Sequence, residues 1–169
     1  MKKFVLLFSF ALLSFSGFAQ SKVGTIDAEY IVSKMPEMTQ VNEGLKTYND
    51  ELQKSLQDSI AKYETLVQDY QANNTTFAEE EKQAKENQII GLENEIKGFR
   101  QKASLMMQMK RNELTEPLYQ KINTAMLEVV QEEGFTQIFH AGGNALAFSA
   151  EGYDITEKVL KKLGVEVTQ

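Results

Sequence analysis

"MKRNELTEPLYQKI", residues 109–122, places Pro117 in the middle of a run that otherwise reads as one long helix. A proline there removes a backbone hydrogen bond and its ring crowds the preceding turn, at a cost of about 3 kcal/mol. On both sides of it the apolar residues keep helical spacing: Ile89, Leu92, Ile96, Phe99, Ala103 and Met106 are followed by Leu114, Leu118, Ile122, Met126 and Val129. A second stripe lies upstream at Val41, Leu45, Tyr48, Leu52, Leu56, Ile60, Tyr63, Val67 and Tyr70. Such thin seams on polar rods belong to coiled-coil packing more than to globular helices with a broad buried face. Successive four-residue steps from Tyr48 to Ile60 depart from a strict heptad and straighten the supercoil locally.

Between the stripes stands "NNTTFAEEE", residues 73–81, where Thr76 and Glu79 have capping-box spacing and three glutamates favour the positive end of a new helix. The chain is expected to turn there and fold back antiparallel. That register sets Tyr63 opposite Ile89, Ile60 opposite Leu92, Leu56 opposite Ile96, Leu52 opposite Phe99 and Tyr48 opposite Ala103. It also brings the only two prolines, Pro36 and Pro117, to one height. The prolines therefore mark a boundary, with residues 37–116 as a helical hairpin arm and residues 20–36 and 117–169 as the body it leaves. The second arm, from Phe77 to Glu116, extends roughly 60 Å at about 1.5 Å per residue.

The flanks predict an α+β body. "KVGTID" reads as a short strand with Asp27 capping a brief helix through "AEYIVS", and Gly134 stops the long helix after Glu133. "FTQIFHA" and "NALAFSA" read as strands around the turn "GGN"; "YDITEKVLKKLG" is a closing helix with Asp154 and Glu157 at capping-box spacing and a terminal Gly164. About three short strands and one or two helices make a meagre core, so the body is expected to self-associate.

Residues 1–19 read as a cleaved leader: Lys2 and Lys3, an apolar run from Phe4 to Phe15, then Gly17-Phe18-Ala19. The apolar run is short of the roughly 20 residues a bilayer span requires. With no cysteine, the exported chain has neither a disulfide nor a lipid-bearing terminal Cys. Loss of the leader's two lysines takes the net charge from −6 to −8, which argues against nucleic acid as a partner.

"VGTIDAEYIVSKMPE", the long charged hairpin, "EPLYQKINTAMLEVVQEEGFTQIF" and "YDITEKVLKKL" resemble, in that order and over essentially the whole exported chain, the Skp/OmpH family of periplasmic chaperones. The resemblance implies a homotrimer whose strands form a central barrel, with helical arms around a cavity that holds unfolded outer-membrane proteins in the periplasm of a bacterium with two membranes. Contact of the arms with outer-membrane assembly machinery stays open. Familiar members have positively charged arm tips, whereas residues 60–92 here hold three lysines and six acidic residues, which speaks against anionic lipid head groups at the tips.

The residues offer one candidate surface. "KGFRQKASLMMQMKR" carries five positive charges from Lys97 to Arg111 and no acidic residue, with Leu105, Met106, Met107 and Met109 on more than one helix face beside Lys110 and Arg111. These side chains either fill the seam and cover lysine stems or form a client surface, since thioethers adapt to varied apolar partners. Tyr48, Tyr63 and Tyr70 read as seam residues. Glu79, Glu80 and Glu81 read as a solvated first turn, and His140, the only histidine, as a strand-end residue. "HAGGNA" lacks the lysine and spacing of a phosphate loop. No metal, cofactor or catalytic constellation is expected, so the chain reads as a non-enzyme: a holding chaperone without nucleotide, or alternatively a structural coiled-coil spacer or adaptor of the envelope.

Overall fold

A computed structural model describes residues 21–142, 146 and 148–166. The leader and most of the "GGN" turn lie outside the described residues. The elements are β1 (Val23–Ile26), α1 (Ala28–Lys34), α2 (Met38–Asn73), α3 (Glu79–Glu133), β2 (Gln137–His140), a short 3-10 turn (Glu151–Tyr153) and α4 (Thr156–Lys162). Contacts between Cα atoms divide the chain into two compact units. One is Pro36–Pro117 and the other comprises the residues on either side of it.

The flanking unit holds most of the core. Ile26, Ile31, Ile155, Val159 and Leu160 are fully enclosed, and Leu118, Ile122, Ala125, Val129 and Phe135 are buried along the end of α3 and beyond it. Asp27 begins α1 as its position predicts, its Oδ1 accepting the Tyr30 N–H at 2.8 Å. Gly134 (φ 69°) and Gly164 (φ 70°) end α3 and α4 in the left-handed conformation that glycine adopts without a Cβ penalty. In both places the next residue reaches back across the helix end, Phe135 N–H to the Val130 carbonyl at 3.1 Å and Val165 N–H to that of Leu160 at 3.0 Å. Lys22 completes the end of α3: its Nζ donates to the Glu133 carbonyl at 2.9 Å and lies 3.9 Å from the centroid of the Phe135 ring.

The sheet differs from expectation. β1 and β2 form a two-stranded parallel pair in the register Val23 to Gln137 through Ile26 to His140. Of "NALAFSA", the described residues 146 and 148–150 carry no strand, and Phe148 is 85% exposed. The other edge of β1 is already occupied. Ile155 N–H donates to the Thr25 carbonyl at 2.9 Å, Thr25 bridges Asp154, and its hydroxyl meets that of Ser149 at 3.2 Å. Asp154 Oδ1 accepts from Thr156 N–H at 2.9 Å and from its hydroxyl at 2.6 Å. The Asp154 N–H goes to the Glu151 carbonyl at 3.2 Å, so Glu157 does not close the expected capping box.

The unit Pro36–Pro117 contains two antiparallel helical stretches, all of α2 and α3 up to Pro117, with little enclosed core. Among its described residues only Val41 and Leu52 are buried apolar side chains. Two expectations at its tip fail. Thr76 caps nothing: its hydroxyl donates to the Asn73 carbonyl at 2.8 Å, and α3 starts at Glu79 rather than Phe77, with Ala78 N–H taken by the Glu81 carboxylate at 3.3 Å. The register also slips. Lys85 binds Asp69 at 2.6 Å, the Tyr70 hydroxyl donates to Glu86, and Ile60 shares a cleft with Ile96 in place of the expected Leu92. Nearer the base, Lys110 Nζ stands 5.7 Å from the Tyr48 ring centroid in place of the expected Ala103, and Gly44 faces Leu114.

The cause lies in the turn. Phe77 N–H still reaches the Asn73 carbonyl four residues back at 3.3 Å, so the chain keeps climbing past Asn73 before it reverses. Moving the reversal point by two residues slides a facing pair by four, the difference at Ile60; at Tyr48, where the long Lys110 side chain reaches the ring, the difference is seven. Because the slip amounts to whole helical turns, the same faces still meet. With Leu114 opposite Gly44, Pro117 comes level with Val41 and not with Pro36.

Candidate functional site

The long helical hairpin, α2 with α3 up to Pro117, is the part of this chain with surface to spare. Leu52 is buried in it, and Leu56, Ile60, Tyr63, Ile89, Leu92, Ile96 and Phe99 are half-buried. A single shallow seam leaves these side chains partly wet, because two helices alone cannot enclose a core. One ion pair crosses between the helices, Asp69 with Lys85 at the tip, while Glu93 with Lys97 at 2.6 Å and Glu113 with Lys110 at 2.9 Å pair along α3 itself. The carboxyl of Asp69 is held below its ordinary range, first by the hydrogen bond from Lys85 and then by that from Asn73.

The structure separates the methionine-rich stretch. Leu105 and Met109 are exposed, at 59% and 62%, while Met106 and Met107 are half-buried and Lys110 lies over Tyr48 with its charge taken by Glu113. Arg111 is exposed. The six residues thus do not form one patch. Leu105, Met109 and Arg111 stand exposed on α3, while Met106, Met107 and Lys110 are partly covered.

Pro36 lies just ahead of α2 in a short turn, its carbonyl accepting the Thr39 N–H at 3.2 Å. Pro117 sits inside α3, which runs on unbroken to Glu133. Its ring leaves the Glu113 carbonyl without the amide donor that another residue would supply. Two residues earlier the buried Thr115 turns its hydroxyl back onto the carbonyls of Arg111 (2.9 Å) and Asn112 (3.3 Å), a contact that loosens helices. Glu79, Glu80 and Glu81 form the first turn of α3, and His140 closes β2. Among the described residues no group of three or more His, Asp or Glu side chains could hold a metal ion, and no helix is long and apolar enough to cross a membrane.

Following apolar residues along α3 passes over the face opposite the seam. That face carries Asn87, Asn94, Gln101 and Gln108, all exposed and spaced by seven. Gly91 and Gly98 also lie on it, and a Cβ added to either would meet nothing within 4 Å. The signal is present in the sequence as an amide recurring every two turns.

A model of the OmpH-like outer membrane protein family matches residues 22–163. The chain belongs to the OmpH-like family. Among solved structures, this OmpH-like chain is similar to one from Caulobacter crescentus described as a candidate outer membrane chaperone (OmpH-like), at 21% identity and a TM-score of 0.54 over 87% of this chain and 86% of that one. That likeness is one of fold. No curated protein matches the chain. The stretch shared with the OmpH-like family begins at Lys22, which closes the end of α3, and finishes at Leu163, which ends α4.

The clamp between α3 and α4 makes a prediction about pH. Glu133 accepts from Lys158 at 2.6 Å and also pairs with Lys22 at 3.4 Å; the Lys158 hydrogen bond is the main reason its carboxyl is held below the usual carboxylate range. A depressed folded-state pKa contributes stability that is present above the unfolded value and lost as pH falls through the folded one. Glu133→Gln is therefore expected to lower the melting temperature at about pH 7, with the gap to the parent closing on the way to about pH 3. Parallel melting curves across that range would show that the clamp contributes nothing.

The glycines on the far face make another. Each helical glycine without a packing neighbour costs about 0.5–1 kcal/mol relative to alanine. Gly91→Ala and Gly98→Ala should each raise the urea midpoint of the hairpin's unfolding, and together they should add. A lowered midpoint would mean that the space around them is filled in solution.

Proposed function

We propose that this chain is a holding chaperone of the periplasm that needs no nucleotide, binds unfolded outer-membrane proteins and keeps them from aggregating, and works as a homotrimer built on its strand-bearing body. The observation that carries the reading is a long two-helix arm with hardly any enclosed core, in a chain of the OmpH-like family. A membrane barrel strand alternates lipid-facing and lumen-facing side chains, so its unfolded chain exposes apolar groups and unpaired backbone together in water. Retention of such a chain needs many weak contacts on a compliant surface, since avidity holds what no single contact does. Release then follows from transfer to a deeper sink, a folded barrel in the membrane. The description of the Caulobacter crescentus neighbour as a candidate outer membrane chaperone agrees with this.

Self-association is supported by what the body leaves uncovered. Phe139 on β2 is 51% exposed, Tyr153 is 50% exposed, and Phe148 stands almost clear. Among the described residues β2 has β1 on one side only, so its other edge is open to a strand from a second copy. Pro36 and Pro117 would bound the arms and the flanking residues would form the oligomerisation body.

The test is light scattering. An unfolded outer-membrane barrel protein diluted from urea should remain clear in the presence of the trimer and cloud without it, while mass measurement in solution gives three copies. A chain that leaves the scattering unchanged and instead binds one folded partner to saturation would be an envelope spacer or adaptor.

A further inference from the structure

Of the two helices in the hairpin, α2 has the outer surface expected of a solvated rod. Opposite its seam it presents Glu43, Asp50, Lys54 and Asp58, all exposed. α3 does not. At about 100° per residue, its side opposite the seam is an arc of roughly a third of the circumference. From residue 83 to residue 112, the strip of this side that runs around the helix from Lys97 to Lys102, about 140° wide, holds no charged side chain between those two lysines, although the chain as a whole is 25% charged. The charges of this stretch stand on the flanks, among them Lys97 and Lys102 at the borders of the arc.

Three kinds of residue fill the arc. Asn87, Asn94, Gln101 and Gln108 place an exposed primary amide every seven residues, about 10.5 Å apart along the helix. Gly91 and Gly98 leave the helix backbone bare with open space above it. Ile90, Leu105 and Met109 are large apolar side chains exposed at 54%, 59% and 62%. The glycines, Asn87 and Asn94 are poor helix formers and the exposed apolar groups cost solvation, so solubility and helix formation would not select them; Gln101 and Gln108 satisfy both.

We infer that this uncharged outer face of α3 is a docking strip for extended, unfolded polypeptide, and that it reads the main chain of that polypeptide more than its side chains. The inference rests on the holding-chaperone reading and assigns it a surface. An unfolded chain carries one N–H and one C=O per residue, and a primary amide is the side chain that both donates and accepts in the same way. Three residues of polyproline II or strand backbone rise about 9 to 10 Å, close to the spacing of the amides, so successive amides meet successive equivalent peptide groups. The glycines let that backbone approach closely. Ile90, Leu105 and Met109 hold apolar side chains of the client, with the thioether adapting to their shape. The absence of charge matters because a fixed charge would have to be desolvated under every client and would favour clients of one sign.

The test uses the full-length chain and an unfolded outer-membrane barrel protein labelled with a fluorophore. Asn94→Glu, Gln101→Glu and Gln108→Glu are combined in one variant, and the same three positions carry lysine in another. All six replacements favour helix at least as well as the residues they replace, so circular dichroism and urea midpoints should hold or rise. A control variant carries Ala61→Glu, Thr65→Glu and Gln68→Glu on the outer face of α2. Both α3 variants are expected to weaken client binding at least about tenfold, whichever sign they introduce, and the control less than about twofold. Equal losses in the α3 and α2 variants, or loss with one sign of charge only, would overturn the strip while leaving the chaperone reading standing. A parent chain that retains no unfolded client overturns both. A change in the mass of the α3 variants in solution would assign the face to contacts between copies and overturn the strip as well.

Discussion

Gly24→Val is expected to abolish the folded body, and Gly24→Ala to weaken it by about 1–3 kcal/mol, because the space a Cβ needs is already taken. A Cβ on Gly24 would lie 2.7 Å from Phe135 Cε1 and 2.9 Å from both Phe135 Cδ1 and Ile138 Cδ1. Ile138 can swing its terminal methyl aside. Phe135 has less freedom, since it is buried, follows the left-handed Gly134, and has Lys22 over its ring, tied in turn to the Glu133 carbonyl. Moving the ring would disturb the junction at which α3 ends and β2 begins, and with it the pairing of β1 and β2. Near-ultraviolet circular dichroism through a urea titration would follow the loss, and the self-association proposed for the body should fail at the same substitutions. A Gly24→Val chain with the parent's midpoint would mean that Phe135 has room to move.

Pro117→Ala should work in the opposite sense, stabilising α3 by up to about 3 kcal/mol. Alanine restores the amide that the Glu113 carbonyl lacks, removes the ring from the preceding turn and has the highest helix propensity. Thr115 would be relieved too, since its hydroxyl no longer has to share a disturbed turn with the carbonyls of Arg111 and Asn112. The measurable consequences are a higher melting temperature and slower amide exchange from Arg111 to Leu118. If the proline is there to let the helix yield at this level, the stabilised variant should also hold clients of differing size less evenly. A melting temperature that stays put would show that the helix has already found partners for its freed carbonyl.

Several elements are legible in the residues alone. Asp27 beside "AEYIVS", and Gly134 and Gly164 after their helices, act through chemistry local to a few residues, so their positions reveal them. The apolar stripes of α2 and α3 are equally plain, because a helix repeats its face every turn whatever it packs against. The missing third strand is not legible in the same way. "NALAFSA" has the alternation of a strand, but the backbone edge of β1 it might have joined is held by Asp154 and Ile155, and Ser149 of the stretch itself meets Thr25 hydroxyl to hydroxyl. Thr76 departs from its expected role because a threonine hydroxyl can bond either forward or backward along the chain, and here it donates back to the Asn73 carbonyl. The methionine-rich stretch is continuous in one dimension, and only its neighbours in α2 divide it into covered and open halves.

By itself, then, the sequence determined the seams, the helix ends, the charge of the chain and the repeating amides of α3, all of which depend on spacing within one segment. Tertiary structure decided the register of the hairpin and the reason for Gly24. A helical stripe looks the same after sliding by a turn, so nothing within α2 or α3 could choose between Leu92 and Ile96 as the neighbour of Ile60; the hydrogen bonds at Asn73 set the point of reversal and made that choice. The crowding at Gly24 comes from Phe135 and Ile138, more than a hundred residues distant, and a close approach of that kind exists only once the chain has closed.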